Sequence, residues 1–345
     1  MGDNDRPRHR FRGDRVLPVA RHRQLRVPDR FEFRAREPSL ASHSAIRRNR
    51  GSGDPQHHIR CRYPNRTEGN SMTEYVETPR GRFGVEFSGD RSGPTLMFVA
   101  GLGDDMSSWA TVIDAFADYH CVVYDNRGIG TSPITEGPYR IEQLADDAHA
   151  IHSSLDLGPV VAIGSSMGGA ICQEWALKYP DDLTGLVLTN TWSEQQVFCD
   201  VIFEHWQALA AKGLATELID SLLLFCLSAP FLQAHPEAAR EFRQMPVPDL
   251  GGFHAAAQAC RDHETLSRLS GVQQPTLVIG ATYDILTRPE LSERLAGQLP
   301  NATLEMVDAA HMIFAEAPGP WQRVVRAWLD KRFPTGATPG WTGTR

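Results

Sequence analysis

Short, nearly continuous apolar runs alternate with amphipathic stretches along most of this chain. Residues 95–100 (TLMFVA), 121–124 (CVVY), 160–163 (VVAI), 183–189 (LTGLVLT), 276–280 (TLVIG) and 303–307 (TLEMV) are each too short for a helix. Most end in a loop rich in glycine or aspartate, as strands of a covered parallel sheet do. Ahead of them, a turn at Thr78-Pro79-Arg80-Gly81-Arg82 leads into alternation through Phe83, Val85 and Phe87, the signature of a hairpin. Between the runs the period changes. Ile141, Leu144, Ala148, Ile151 and Leu155 recur at helical spacing. Helices are predicted over 107–117, 141–155, 288–298 and 321–332, with another directly after the 160–163 strand. Strands alternating with helices predict a doubly wound, mostly parallel α/β sheet.

The alternation lapses between residues 192 and 269. This segment carries helical apolar faces, such as Ile202, Trp206 and Leu209 or Leu218, Leu222 and Phe225, separated by Pro230, Pro236, Pro246 and Pro248. It predicts an inserted helical lid over a core made of residues 72–191 and 270–333, with a flexible tail at 334–345.

Charge divides the chain differently. The first 71 residues hold seventeen arginines, no lysine and eight carboxylates, so the net charge of −7 leaves about −16 on the remainder. An acidic body argues against a nucleic-acid partner. The arginine-rich segment has no sustained hydrophobic period and is expected to be disordered. Glu68-Gly69-Asn70-Ser71 back-translates into a purine-rich run ahead of Met72, and Met72 is therefore expected to be the working start. The six cysteines (Cys61, Cys121, Cys172, Cys199, Cys226, Cys260) are scattered among apolar neighbours, as free thiols of a reducing compartment would be. No apolar signal core follows the arginines, and the oily stretch 218–232 is broken by Asp220 and Pro230. A cytoplasmic protein without membrane partners is expected.

Candidate chemistry centres on VVAIGSSMGGAICQEWALKY, residues 160–179. A buried strand meets a cluster of glycines and serines, then a helix. Gly164 and Gly168 flank Ser166 at the spacing of the G-x-S-x-G nucleophile elbow, which favours Ser166 over Ser165 as the exposed hydroxyl. An activated serine needs a base, and the base an acid to hold its tautomer. Asp284 lies in the loop after the 276–280 strand, and Asp308 and His311 in the loop after the 303–307 strand. Carboxyl ends of strands are where open α/β sheets place their chemistry.

Taken together, YDNRGIGTS, GSSMGG, ATYDILTRPE and AAHMIFAE resemble the α/β-hydrolase-fold serine hydrolases over residues 78–333. With GPYRIEQLADD they are similar to 3-oxoadipate enol-lactonases and related small carboxylesterases. The resemblance implies Ser166, Asp284 and His311 as the catalytic residues. It places the acid one strand earlier than the histidine, in the loop after the 276–280 strand, which makes Asp308 a turn former. The other position used in some relatives is Asn190 here, which cannot ionise. It also implies an oxyanion hole from the backbone N–H groups of Leu102 and Met167. Relatives often have His-Gly where this chain has Ala100-Gly101. Arg127 is expected to brace loops, and Trp109 and Trp192 either line the substrate pocket or fill the core.

The implied function is hydrolysis of a carboxylic ester or lactone of a small, largely apolar molecule through an acyl-enzyme. Hydrolysis of a C–C bond in a ring-fission-type diketone uses the same residues. An inactive ligand-binding relative is the rival from another class. A serine at the elbow excludes the types that need aspartate there. No cofactor or metal is expected, since no phosphate loop, metal-ligand spacing or dinucleotide fingerprint occurs.

Overall fold

The structure, a computed structural model, describes residues 73–335. The expectations for residues 1–71, for Met72 as the start, for Cys61 and for most of the tail lie outside them. Eight strands form one sheet in the order β1-β2-β4-β3-β5-β6-β7-β8. β1 (Glu74–Thr78) and β2 (Gly81–Gly89) make the antiparallel hairpin, and β2 also runs antiparallel to β4 (His120–Tyr124). The strands β3 (Thr95–Val99), β4, β5 (Val160–Ser165), β6 (Leu183–Thr189), β7 (Thr276–Ala281) and β8 (Ala302–Val307) pair in parallel.

The apolar runs of β3 to β7 are nearly continuous because both faces are covered, while β8, at the sheet edge, stays partly exposed. Along β3, Met97 and Val99 enter one core layer with α1 (Ile141–Ser154) and α2 (Met167–Lys178), while Leu96 and Phe98 enter the other. That second layer includes Trp321, Val325 and Leu329, from the last helix of the described chain. The sheet is therefore the middle of three layers. β3 has β4 on one side and β5 on the other, so the chain reverses its winding direction there. Such a reversal opens a crevice beyond the carboxyl ends of the strands, between the loops after β3 and β5.

Five helices separate β6 from β7: α3 (Val197–Ala211), α4 (Ala215–Cys226), α5 (Ala229–Ala234), α6 (Pro236–Arg243) and α7 (Leu250–Arg261). Prolines open α6 and lie in the first turn of α5, where a missing N–H costs nothing. The chain closes through α8 (Pro289–Gln298), the short α9 (Ile313–Glu316) and α10 (Pro318–Arg332).

One predicted helix is not formed. Residues 107–117 make two 3₁₀ turns, Met106–Trp109 and Ile113–Phe116, in place of an α-helix. Thr111, Val112 and Ile113 are successive β-branched residues, which crowd a helical turn. The Asp105 carboxylate holds the Ser107 N–H and Asp125 the Met106 N–H, which pins the start. In the tail, Thr335 donates to the Asp118 carboxylate, so at least that residue is fastened to the core. The five described cysteines are free and buried, and among the described residues no helix is long and apolar enough to cross a membrane.

Candidate active site

Ser166 caps β5 at φ 53° and ψ −119°, a left-handed backbone that a non-glycine residue adopts only under constraint. The constraint is packing and hydrogen bonding. Ser166 N–H donates to Thr189 O (2.9 Å), and Ser166 O accepts from Thr191 Oγ1 and from the Gly169 and Ala170 amides. The flanking glycines are required by space. A Cβ on Gly164 would fall 2.4 Å from Gly168 O, and one on Gly168 would fall 1.9 Å from Val99 O. Neither could be accommodated by moving a side chain, because each obstacle is backbone.

His311, in the loop after β8, reaches the serine. Its Nε2 lies 2.9 Å from Ser166 Oγ and its Nδ1 lies 2.8 Å from Asp284 Oδ2. Asp284 is 2 % exposed, and donors hold it on every side. The amides of Leu286 and Thr287 donate to Oδ1, and the Thr287 hydroxyl donates to Oδ2 at 2.7 Å. Asp308 instead accepts from the Thr282 hydroxyl at 3.1 Å in an exposed position. Burial pushes the His311 pKa down, but the charge of Asp284, its hydrogen bond and the charge of Asp104 outweigh it and raise His311 above its ordinary value.

Further residues hold this arrangement in place. Asn190, itself at φ 45°, donates through Nδ2 to His311 O (2.9 Å) and Ala310 O. Glu316 accepts from the Ala310 amide and from both the amide and hydroxyl of Ser228, while Met312 N–H donates to Cys226 O. The histidine loop is thus bonded directly to the junction of α4 and α5. Sequence reasoning passed over Asn190 because it cannot ionise, and passed over Glu316 although it ends the AAHMIFAE motif. Arg127 braces loops as expected: it donates to both oxygens of Asp147 (2.7 Å each) and to Arg80 O.

Leu102 sits in the loop after β3. Asn126 Nδ2 donates to Ala100 O at 3.0 Å and steadies the start of that loop. Met167 is the first residue of α2, so its N–H is one of the four helix donors without an intrahelical partner. Both amides belong to segments that border Ser166.

A cavity of about 930 Å³, its open mouth included, rises above the serine. Phe203, Trp206, Leu222 and Phe242 wall it from the inserted helices, and Leu102 and Met312 from the core loops. Trp109 and Trp192 do not line it, which corrects the pocket alternative for both. Trp109 is 1 % exposed and packs edge-on to Phe98 and against Phe314 and Trp321; Trp192 is 2 % exposed, packs on Phe203 and His263, and accepts from Gln173 at its carbonyl. Each stands one side chain behind a wall residue, Phe314 and Phe203 respectively. The tryptophan that does face the cavity, Trp206, lies on α3, where periodicity alone could not say which neighbour its apolar face would meet.

Among the described residues, His149, His152 and Asp182 form a group with metal-ligand chemistry, their ligand atoms within 4.8 Å of one another. The Asp182 oxygen already accepts from Trp175 Nε1 and bonds His149 Nδ1, both at 2.7 Å, and His152 Nε2 lies 2.6 Å from Gly158 O. The group sits at the opposite ends of the strands from Ser166.

A family model described as alpha/beta hydrolase fold matches residues 94–318. Among curated proteins, the chain is similar to the "Putative carbamate hydrolase RutD" of Pseudomonas syringae pv. syringae, 31 % identical over 243 residues that cover 69 % of this chain and 94 % of that one. It is also similar to 3-oxoadipate enol-lactonase 2 of Acinetobacter baylyi, 28 % identical over 251 residues covering 71 % and 91 % of the two chains. Among solved structures, the enol-lactonase from Burkholderia xenovorans LB400 superposes with a TM-score of 0.70 at 25 % identity, over 74 % of this chain and 99 % of that one.

Proposed function

The chain belongs to the α/β-hydrolase fold family and is a hydrolase by that membership, and from this premise we propose that it cleaves a carboxylic ester or lactone of a small, largely apolar molecule through a covalent acyl-enzyme. One observation carries the reading: an unbroken hydrogen-bonded chain, Ser166 Oγ to His311 Nε2 and His311 Nδ1 to Asp284, at the floor of an apolar cavity. Ser166 Oγ attacks the carbonyl carbon while His311 Nε2 takes its proton, and Asp284 holds the resulting imidazolium by its Nδ1–H. The carbonyl oxygen, now an oxyanion, accepts from the backbone N–H groups of Leu102 and Met167. As the C–O bond breaks, His311 returns the proton to the departing alcohol oxygen. Water, deprotonated in turn by His311, then releases the acid and frees Ser166.

The relatives named for enol-lactone and carbamate hydrolysis support a reaction at an acyl carbon. The inserted helices supply most of the apolar wall, and we read them as a lid that closes over the substrate. A fluorophosphonate probe tests the nucleophile. Labelling of the native chain that disappears in Ser166→Ala supports the reading, and an unlabelled native chain refutes it in favour of a ligand-binding role. A panel of p-nitrophenyl esters, lactones and a vinylogous diketone tests the bond. Cleavage of the diketone with the esters and lactones untouched would move the assignment to C–C hydrolysis.

A further inference from the structure

Among the described residues that line the cavity, Asp104 is the one carboxylate, and the proposed chemistry has no use for it. It lies in the loop after β3, lines the cavity, and keeps surface toward it. Its neighbours are all satisfied by donors. Asp105 accepts from the Ser107 amide and hydroxyl, Asp125 from the amides of Met106 and Thr131 and the Thr131 hydroxyl, and Asp284 from Leu286, Thr287 and His311. Among the described residues no donor hydrogen-bonds the Asp104 carboxylate, and its own amide donates to Gly101 O. It also stands beside the nucleophile. A methyl group built on Gly101 would lie 2.9 Å from Asp104 Oδ2 and 3.5 Å from Ser166 Cβ, so carboxylate and serine border the same small space.

An ionised carboxylate facing an apolar cavity without donors is costly unless something that enters the cavity supplies the missing partner. None of the described residues lining the cavity is lysine or arginine. We propose that Asp104 makes the cavity charge-selective, favouring esters that carry a quaternary or protonated amine close to the scissile carbonyl and rejecting esters that carry a carboxylate there. This rests on the reading of Ser166 as the nucleophile, and it narrows the substrate class of that same site. The desolvation of Asp104 supports it: burial raises its pKa to about 6, the charge of His311 opposes the rise, and the charge of Asp105 adds to it. At about pH 8 the group is ionised and available to a cation. A bound cation would relieve its desolvation, whereas a bound carboxylate would meet like charge at short range in a medium of low dielectric.

Matched substrates isolate the charge. On the alcohol side these are the choline ester of butyrate and its neutral tert-butyl isostere. On the acyl side they are the p-nitrophenyl esters of a trimethylammonio-butyrate, its tert-butyl isostere and a hemisuccinate. At about pH 8 the native enzyme is expected to prefer the cation over its isostere in kcat/KM by roughly tenfold or more on at least one side, and to disfavour the hemisuccinate by a similar factor. Asp104→Asn, or Asp104→Ser should the first fold poorly, is expected to collapse those ratios toward one while cleavage of the neutral isostere changes by only a few-fold. Equal native rates for cation and isostere on both sides would overturn the proposal. So would a uniform loss in the variants, which would mean that Asp104 acts only through His311. Calorimetric titration of Ser166→Ala with the same pairs separates this inference from the hydrolase reading. Tighter binding of the cation there, with no turnover by the native chain, keeps the charge selectivity and removes the hydrolysis. Turnover with no charge preference in rate or binding does the reverse.

Discussion

The tautomer of His311 is decided by Asp284, and the cost of losing it can be stated. Asp284→Asn keeps the shape but offers a donor where Nδ1–H needs an acceptor, so ester turnover is expected to fall on the order of ten-thousand-fold while the fold persists. Steady-state kinetics alongside a thermal melt measure both. The raised pKa of His311 sets a pH limit. Only the neutral ring can take the serine proton, so kcat/KM is lost as pH falls through a value above the ordinary 6.5. Asp284 and Asp104 supply the charges that raise it, and Asp104→Asn is expected to move the acid limb down; a pH–rate profile on a neutral ester reads the shift. Much of this was legible in residue order. Ser166 stood between two glycines at elbow spacing, and Asp284 and His311 each followed an apolar strand. Asp104, Asn190 and Thr287 were not legible, because a carboxylate or amide in a loop has no period, and its role depends on which distant backbone or cavity it meets.

Elements carry their own constraints. The β5–α2 elbow is closed so tightly that Gly168→Ala would drive a methyl into the Val99 carbonyl. Destabilisation of at least about 2 kcal/mol is expected, to be read in a denaturant titration. At the other end of the site, Glu316 joins the histidine loop to the start of α5 by accepting from Ala310 and Ser228. Glu316→Gln can satisfy only part of those donors, so turnover is expected to drop roughly tenfold with the melting temperature lowered by a few degrees. Strands were read from sequence with little error because burial on both faces leaves an uninterrupted apolar run. The 107–117 segment was misread for a related reason. Its spacing of Trp109, Val112 and Phe116 fits a helical face, but the i+3 geometry came from Asp105, Asp125 and the β-branched triplet acting together.

For the molecule as a whole, the described residues from Thr73 onward form an eight-stranded sheet with helices on both faces, and the site draws on loops after β3, β5, β7 and β8. A chain shortened to begin at Met72 is expected to keep the melting temperature and ester kinetics of the full chain, and a loss of either measured side by side would assign a role to the arginine-rich segment. Local pattern determined the alternation of strand and helix, the helical insertion, the glycine-flanked serine and the chain order of Ser166, Asp284 and His311. These are properties of neighbouring residues, since periodicity and backbone permissiveness act within a few positions. Tertiary structure alone decided which aromatic rings wall the cavity, placing Trp206 there and Trp109 and Trp192 behind it. It alone set an unpartnered Asp104 beside Ser166. Both outcomes depend on how separate elements pack against one another, and a helix's apolar face or a loop's carboxylate does not record what will be opposite it.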